Sequence, residues 1–535
     1  YVQADGLQTI GYDHGDYNVV TNYVKGNNSY TVFAGANYSH VDGTETWNNE
    51  NYQFPQSLFD RESYSKNSYR NHQEYMQFRY QNQKGKRYWV GKFTLVNLST
   101  PRNASSGFAK ESTETDVFSN IRKKSLSPKI DLNANLPLSK NQTLTLGVHG
   151  KYSANSYHRL YQEQPFETMT DEDEKALSFQ LSAIYNYFSQ KHSLSVELFH
   201  YHDVWNADYS GNCELWQHLW KGESLAFFSY NFQASRRLSL KTRIGLDWLQ
   251  YHLHGDNSFS QLSPRINTNV QYQLNKGMLL WSFNFVNSNH GMDVINRAMI
   301  QVNSHMMEKG MPELKKSHDI NTYLYYMGRF NRLSVSAIGQ FRYNHHPVTD
   351  DYYLDEANGK IVKTYSNGGN AQYYSAILAL QYKLCKFANL SGDIRYNHAE
   401  VKTTWSKHNN NLTGNLGLNM FMGDFALKPY LHFGKKSLDE AALVISKTPI
   451  DYGMSCSYSR GNLYVELQAV SPFKKQEKQY WLDLPIYSYS KSIKDQTASQ
   501  YASIKVAYSF DFGRKTQKVE KDVNKNINSS LLRVE

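Results

Sequence analysis

The feature that most constrains this chain is a two-residue alternation over 501–513, YASIKVAYSFDFG. Ala502, Ile504, Val506, Tyr508, Phe510 and Phe512 share one face of an extended chain, and Ser503, Lys505, Ala507, Ser509 and Asp511 share the other. Successive side chains of a strand point to opposite sides, so the pattern predicts one strand with an oily face and a polar face. An oily face that finishes in aromatic residues suits a strand standing in lipid with its back to water.

The same alternation recurs along the chain. Tyr30, Val32, Ala34, Ala36 and Tyr38 fall in one register, and Ile130, Leu132, Ala134 and Leu136 oppose Asp131, Asn133 and Asn135. Leu144, Leu146 and Val148 oppose Thr145, Gly147 and His149, and Ile244, Leu246 and Trp248 oppose Arg243, Gly245 and Asp247. In the second half Leu390, Gly392, Ile394 and Tyr396 oppose Ser391, Asp393, Arg395 and Asn397, and Leu463, Val465 and Leu467 oppose Tyr464, Glu466 and Gln468.

Tight connections at 136–141, 189–192, 235–237 and 274–277 tend to alternate with long polar ones at 42–68, 99–123, 158–175, 290–317, 347–370 and 474–500. Barrels of the outer membrane have short periplasmic turns and long extracellular loops. The runs number about 20 to 22, within the known range for barrels. The sequence therefore predicts an all-β fold: one closed antiparallel transmembrane β-barrel of about 22 strands over 1–513, with a polar periplasmic tail at 514–535. No linker divides the chain into further domains.

Composition supports this reading. Aromatic residues make up 14% of the chain, with 42 Tyr and 9 Trp, and charged residues only 20%. No apolar run approaches the ~18 residues of a transmembrane helix. The mean hydropathy of −0.67 is compatible with a barrel, which shows lipid only every second residue. The net charge of +10 comes from Lys and Arg that are scattered rather than clustered, which argues against nucleic acid as a partner. Cys213, Cys385 and Cys456 lie far apart, without the spacing of a disulfide framework or a zinc site. The chain opens at Tyr1 with no initiator Met or signal peptide, and reads as a processed product or an excised domain.

Four segments carry a resemblance to a known family. They are SPRINTNVQYQLNKGMLLWSFNF at 263–285, GMPELKKSHDINTYLYY at 310–326, VSPF at 470–473 and SIKVAYSFDFGRK at 503–515. In this order the chain resembles the barrel part of TonB-dependent receptor-like outer membrane proteins of the Bacteroidetes type, the outer membrane protein beta-barrel family. The second segment departs from the family pattern, with Met311 in place of Asn and Lys316 where a second Pro is usual. The resemblance implies a Gram-negative outer-membrane location and a lumen filled by an upstream plug domain absent from this chain. It also implies energy supplied by TonB, uptake of a scarce nutrient (a metal chelate, glycan or peptide) and, as a further partner, a surface lipoprotein. Two alternatives remain open at this level: a non-transporting barrel that scaffolds lipoproteins or secretion machinery, and a passive diffusion porin.

No enzymatic activity is expected, because GxSxG, HExxH and GxxxxGK[ST] are all missing. The pair His345–His346 beside Asp350, Asp351, Asp355 and Glu356 offers metal-ligating chemistry. Adjacent residues of a strand point apart, however, and a solvated loop is favoured. The acidic run Asp171, Glu172, Asp173 and Glu174 lacks the Gly turn and ligand spacing of a calcium loop, and reads as a solvated loop tip. No metal or cofactor is expected, and no substrate-binding residue is singled out. Of the aromatic residues Tyr88, Trp89, Trp248, Trp281, Tyr352, Tyr353, Tyr480 and Trp481, most fit an interfacial girdle. Tyr365 and Tyr480, in the long loops, are candidates for ligand contact. The tail from Arg514 is expected to be disordered.

Overall fold

The computed structural model describes residues 1–510, except 56, 257, 289–290 and 495–498, together with 523–527 and 529. The end of the last predicted strand (511–513) and the start of the tail (514–522) lie outside the described residues. The chain forms a closed antiparallel barrel of 22 strands. The first strand, Val2–Ile10, pairs with the last, Tyr501–Phe510, in continuous register from Val2↔Phe510 to Ile10↔Ala502. Lys435–Asp439, Val444–Thr448, Glu477–Asp483 and Tyr487–Lys494 extend the last four staves at the mouth opposite the short turns.

The short turns are built from local chemistry. Gly26, Gly85, Gly423 and Gly461 have φ between 57° and 63°, and Asn331 has φ 54°. Each opens a two-residue hairpin loop, where a left-handed first residue matches the twist of the paired strands. These turns mark the periplasmic end of an outer-membrane barrel, so the other mouth faces outward.

The alternation sorts as the sequence predicts. Leu146, Ile394 and Val506 are 39%, 62% and 41% exposed on the outer surface. Their neighbours of opposite parity form polar ladders inside: His149 Nδ1 lies 2.6 Å from Asp131, Asn415 donates to Asp393 at 2.8 Å, and Arg243 pairs with Glu197 at 2.5 Å. Polar groups turned away from the lipid need partners, and cross-strand neighbours supply them. The indole rings of Trp248 and Trp281 face outward while their N–H groups donate to Ser260 and Thr322, both at 3.1 Å, as an amphipathic ring in a girdle does.

Four segments expected to be long loops are largely strand instead, 474–500 among them as the paired extensions Glu477–Asp483 and Tyr487–Lys494. The hairpins Asn28–Phe54 with Ser57–Lys84, Arg87–Lys110 with Glu114–Ser139, and Gln142–Glu163 with Phe166–Phe188 pair almost to their tips. Their upper halves are polar on the outer face, with Asp171, Asp173 and Lys175 above Leu177, Phe179 and Leu181. The staves are 22 to 28 residues long here, against the ~9–11 that cross a membrane. One side of the barrel therefore rises as a tall wall above the lipid. Polarity marked these segments as extramembrane, but did not mark them as unpaired.

Candidate functional site: a cap across the outer mouth

Two connections do fold inward. Residues 291–316 and 346–369 jointly form a four-stranded sheet from Met299–Gln301, Met306–Lys309, Thr349–Asp355 and Lys360–Ser366. The two connections are joined by a parallel pairing, Met306↔Ile361 to Glu308↔Lys363. Within the second, Asp355 accepts from the backbone N–H groups of Ala357 and Asn358 and Gly359 adopts φ 60°, which closes a tight turn. One side of this sheet is apolar and buried: Ile300 and Ile361 are 1% and 0% exposed and Met306 6%, while Tyr353 on the other side is 41% exposed.

The core of the molecule lies here, at the mouth. Met306, Tyr352 and Ile361 pack with Tyr52, Ala371, Val401, Leu443, Leu482 and Tyr487 from the surrounding wall. On the opposite side Ile295 and Leu314 pack with Trp205, Leu219, Leu249 and Leu253, and Ala298 and Ile300 with Ala207 and Tyr209. Burial of this much apolar surface, at ~25 cal/mol per Å², ties the sheet to strands on two opposite sides of the ring. It is a cap seated in the outer mouth.

Polar contacts fix its position. Arg61, 5% exposed, pairs with Glu50 at 2.7 Å and Glu163 at 3.0 Å, and donates to the Tyr161 hydroxyl at 3.1 Å. Glu50 also accepts from the hydroxyls of Tyr52 and Tyr487, at 2.9 and 2.7 Å. The cap reaches this cluster through Asn303, which donates to Tyr52 at 3.0 Å, Ser304, which donates to Glu163 at 3.3 Å, and His305, 2.7 Å from Glu111. Arg159 donates to the carbonyls of Gln301 and Val302 at 2.9 and 2.6 Å. At the root of the first connection, Lys316 is wholly buried and lies 2.8 Å from Asp247, which Arg265 also binds at 2.6 Å. This is the position that departs from the family's Pro, and it carries an ion-pair anchor.

Inside the cap, Lys363 lies 3.4 Å from both Glu308 and Asp350. Burial pushes both carboxyls above their usual range despite the ammonium beside them, and the two carboxylates hold Lys363 well above the usual lysine range. The cap therefore carries a buried charge triad that is sensitive to pH.

The residues singled out in the sequence divide between these environments. His345 ends a strand and His346 turns away at φ 60°, which brings the rings to 3.9 Å between centroids instead of pointing them apart. Their acidic neighbours are engaged elsewhere: Asp350 with Lys363, Asp351 with Trp405 at 2.9 Å, and Asp355 in its turn. Among the described residues no three His, Cys, Asp or Glu side chains are placed to hold a metal ion. The run 171–174 is not a loop tip: it lies in Phe166–Phe188, with Glu172 and Glu174 inward at 1% exposure and Asp171 beside His158 at 2.5 Å. Acidity suggested a solvated loop, whereas strand parity separates the four side chains onto two faces. Tyr352 and Tyr365 belong to the cap, while Tyr480 and Trp481 lie in a wall extension that pairs with Val444–Thr448. Sequence reading missed Arg61, Asp247 and the apolar cap residues. The one local signal was the run of Ile and Met residues within otherwise polar connections.

A closed 22-strand barrel with an apolar belt, a polar interior and a loop-built cap defines a large barrel of the outer-membrane type. No protein-family model matches the chain, and no curated protein matches it. Solved structures do. The fold is similar to that of the copper transporter OprC, with TM-score 0.67 and 10% identity over 95% of this chain and 80% of that one. It is similar to the ferric enterobactin receptor PfeA of Pseudomonas aeruginosa in complex with enterobactin, with TM-score 0.62 and 10% identity over 95% and 81%. It is also similar to the siderophore receptor PirA of Acinetobacter baumannii, with TM-score 0.59 and 10% identity over 95% and 80%. These are transporters and receptors rather than enzymes, and at such identity they define the fold.

Proposed function

We propose that this chain is the barrel of a TonB-dependent receptor-like transporter in the outer membrane of a Gram-negative bacterium, of the Bacteroidetes kind that its motifs resemble. The observation that carries the reading is the cap: a wide barrel with a polar interior is closed at its outer mouth by its own sheet, with hydrophobic contacts to two opposite sides of the ring. A passive porin works with an open mouth. Ligand capture at the cap, followed by its displacement and by movement of an upstream plug coupled to TonB, suits this arrangement. The similar fold of proteins named as siderophore and copper carriers favours a small chelated or ionic nutrient. Lipid of the outer leaflet surrounds the belt, and the tall wall offers room for a surface lipoprotein.

The test is twofold. Reconstituted in planar bilayers, the chain is expected to show no steady large conductance, whereas deletion of 299–309 together with 349–366 opens it. The full-length protein is expected to bind the periplasmic domain of TonB and to lose nutrient uptake in a host without TonB. Steady porin-like conductance from the unmodified chain, or uptake that persists without TonB, would remove this reading.

A further inference from the structure

The lumen wall already has an occupant. Asn524 and Asn526 line a cavity on the inner face together with Gln77, Lys92, Lys129, Asp131, His149 and Lys151. Strand parity places these wall residues inside: Lys129 pairs across with Thr94 and Lys151, while its neighbour Ile130 is 51% exposed on the outer surface.

The contacts form a built site. Lys129 Nζ donates to the Asn526 carbonyl at 2.6 Å, to the Asn524 carbonyl at 2.7 Å and to Asn524 Oδ1 at 3.4 Å. An ammonium has three protons, and all three are used. The Asn526 backbone N–H donates back to Asn524 Oδ1 at 3.0 Å, so the segment curls around the ammonium. Lys525 Nζ lies 4.2 Å over the ring of Tyr75, a cation–π contact with the wall one turn of the ladder away. Lys129 is only 5% exposed, and Gln77 and Thr94 on the same inner face are 2% and 1% exposed. In a water-filled lumen a lysine at this position would hold its charge in solvent.

We propose that the inner wall around Lys129 is a peptide-binding site and that its occupant is the protein's own segment 523–527, which partly obstructs the lumen. The recognition is chemical and simple. One ammonium gathers two main-chain carbonyls and an Asn amide oxygen, and one aromatic face takes the intervening Lys. The inference goes beyond the transporter reading, since it holds for any barrel with this wall, and its test measures no transport.

The test uses the full chain with Cys213, Cys385 and Cys456 changed to Ser and one reporter, Asn526→Cys. Labelling by a 5-kDa polyethylene glycol maleimide is timed in detergent micelles, with Glu356→Cys on the outer surface as the exposed reference. The reporter is expected to react at least tenfold more slowly than the reference. Adding Lys129→Met is expected to remove most of that protection, and adding Lys525→Gln, which leaves the wall intact, is expected to remove part of it. The heat-dependent gel shift of a folded barrel certifies each variant. If Lys129→Met fails that check, Lys525→Gln alone decides. A reporter that reacts as fast as Glu356→Cys would overturn the proposal, and so would protection indifferent to the substitutions made.

Discussion

The latch around Arg61 makes the sharpest prediction. Replacing Arg61 by Met keeps most of its volume and removes the one cation buried between Glu50 and Glu163. Breaking a buried pair by removing one partner costs about 3–5 kcal/mol. Both carboxylates keep neutral donors, Glu50 the hydroxyls of Tyr52 and Tyr487 and Glu163 those of Tyr161 and Ser304, and these offset about 1 kcal/mol or somewhat more in total. The net loss should be about 3 kcal/mol, which is roughly a hundredfold shift toward the unlatched cap. The amides that report it are specific: Val302 N–H donates to Met306 at 2.8 Å, and Ile361 N–H to His305 at 2.9 Å. In Arg61→Met their hydrogen-exchange protection should fall about a hundredfold, while the Ser509 amide near the short turns, bonded to Asn462 at 3.0 Å, stays unchanged. Adding Glu163→Gln should restore part of the protection. Unaltered exchange at Val302 and Ile361, or equal loss throughout the barrel, would refute the assignment of Arg61 as the latch.

Other outcomes follow from the same structure. Asp247→Asn should destabilise more than Lys316→Met in urea titrations of the protein in lipid, by a further ~1–3 kcal/mol. The first change strands a wholly buried ammonium, whereas the second leaves Asp247 with Arg265. Ile394→Arg, on the lipid face, should cost about 2–4 kcal/mol of folding stability near the bilayer midplane, while Asp393→Lys on the adjacent inner position should leave the folded yield intact. The cap should loosen as pH rises. Glu308 and Asp350 have folded values raised by burial, so their contribution is complete below the ordinary carboxylate range and is lost as pH passes through the raised values. Lys363, held high, keeps its contribution until strongly alkaline pH. Exchange protection of the Ile361 amide measured from acidic to neutral pH checks the sign.

The barrel was legible in the sequence because a lipid-facing position tolerates little but apolar residues. Ile394, Val506 and Leu146 each declare a face, and the opposite parity follows. The tall wall was hidden because paired strands standing in water on their outer side have no compositional signature that separates them from loops, as 42–68 shows. The cap was hidden for a different reason. Its sheet joins Met306 to Ile361 across 55 residues, and the Arg61 cluster gathers Glu50, Glu163 and His305. Such contacts are set by closure of the whole ring and leave no local spacing. Lys316 was visible only as a departure from the resembled motif, and the burial of Asp247 shows what its charge does.

The first and last staves of the barrel meet along a single seam. Nine residue pairs close it, where the hairpin of Gln142–Glu163 and Phe166–Phe188 is zipped along its length. The two edges belong to opposite ends of the chain, so neither can be satisfied until synthesis has delivered both. Until then each is an open template for foreign strands. Pairing of these two edges is therefore the step that closes the cylinder.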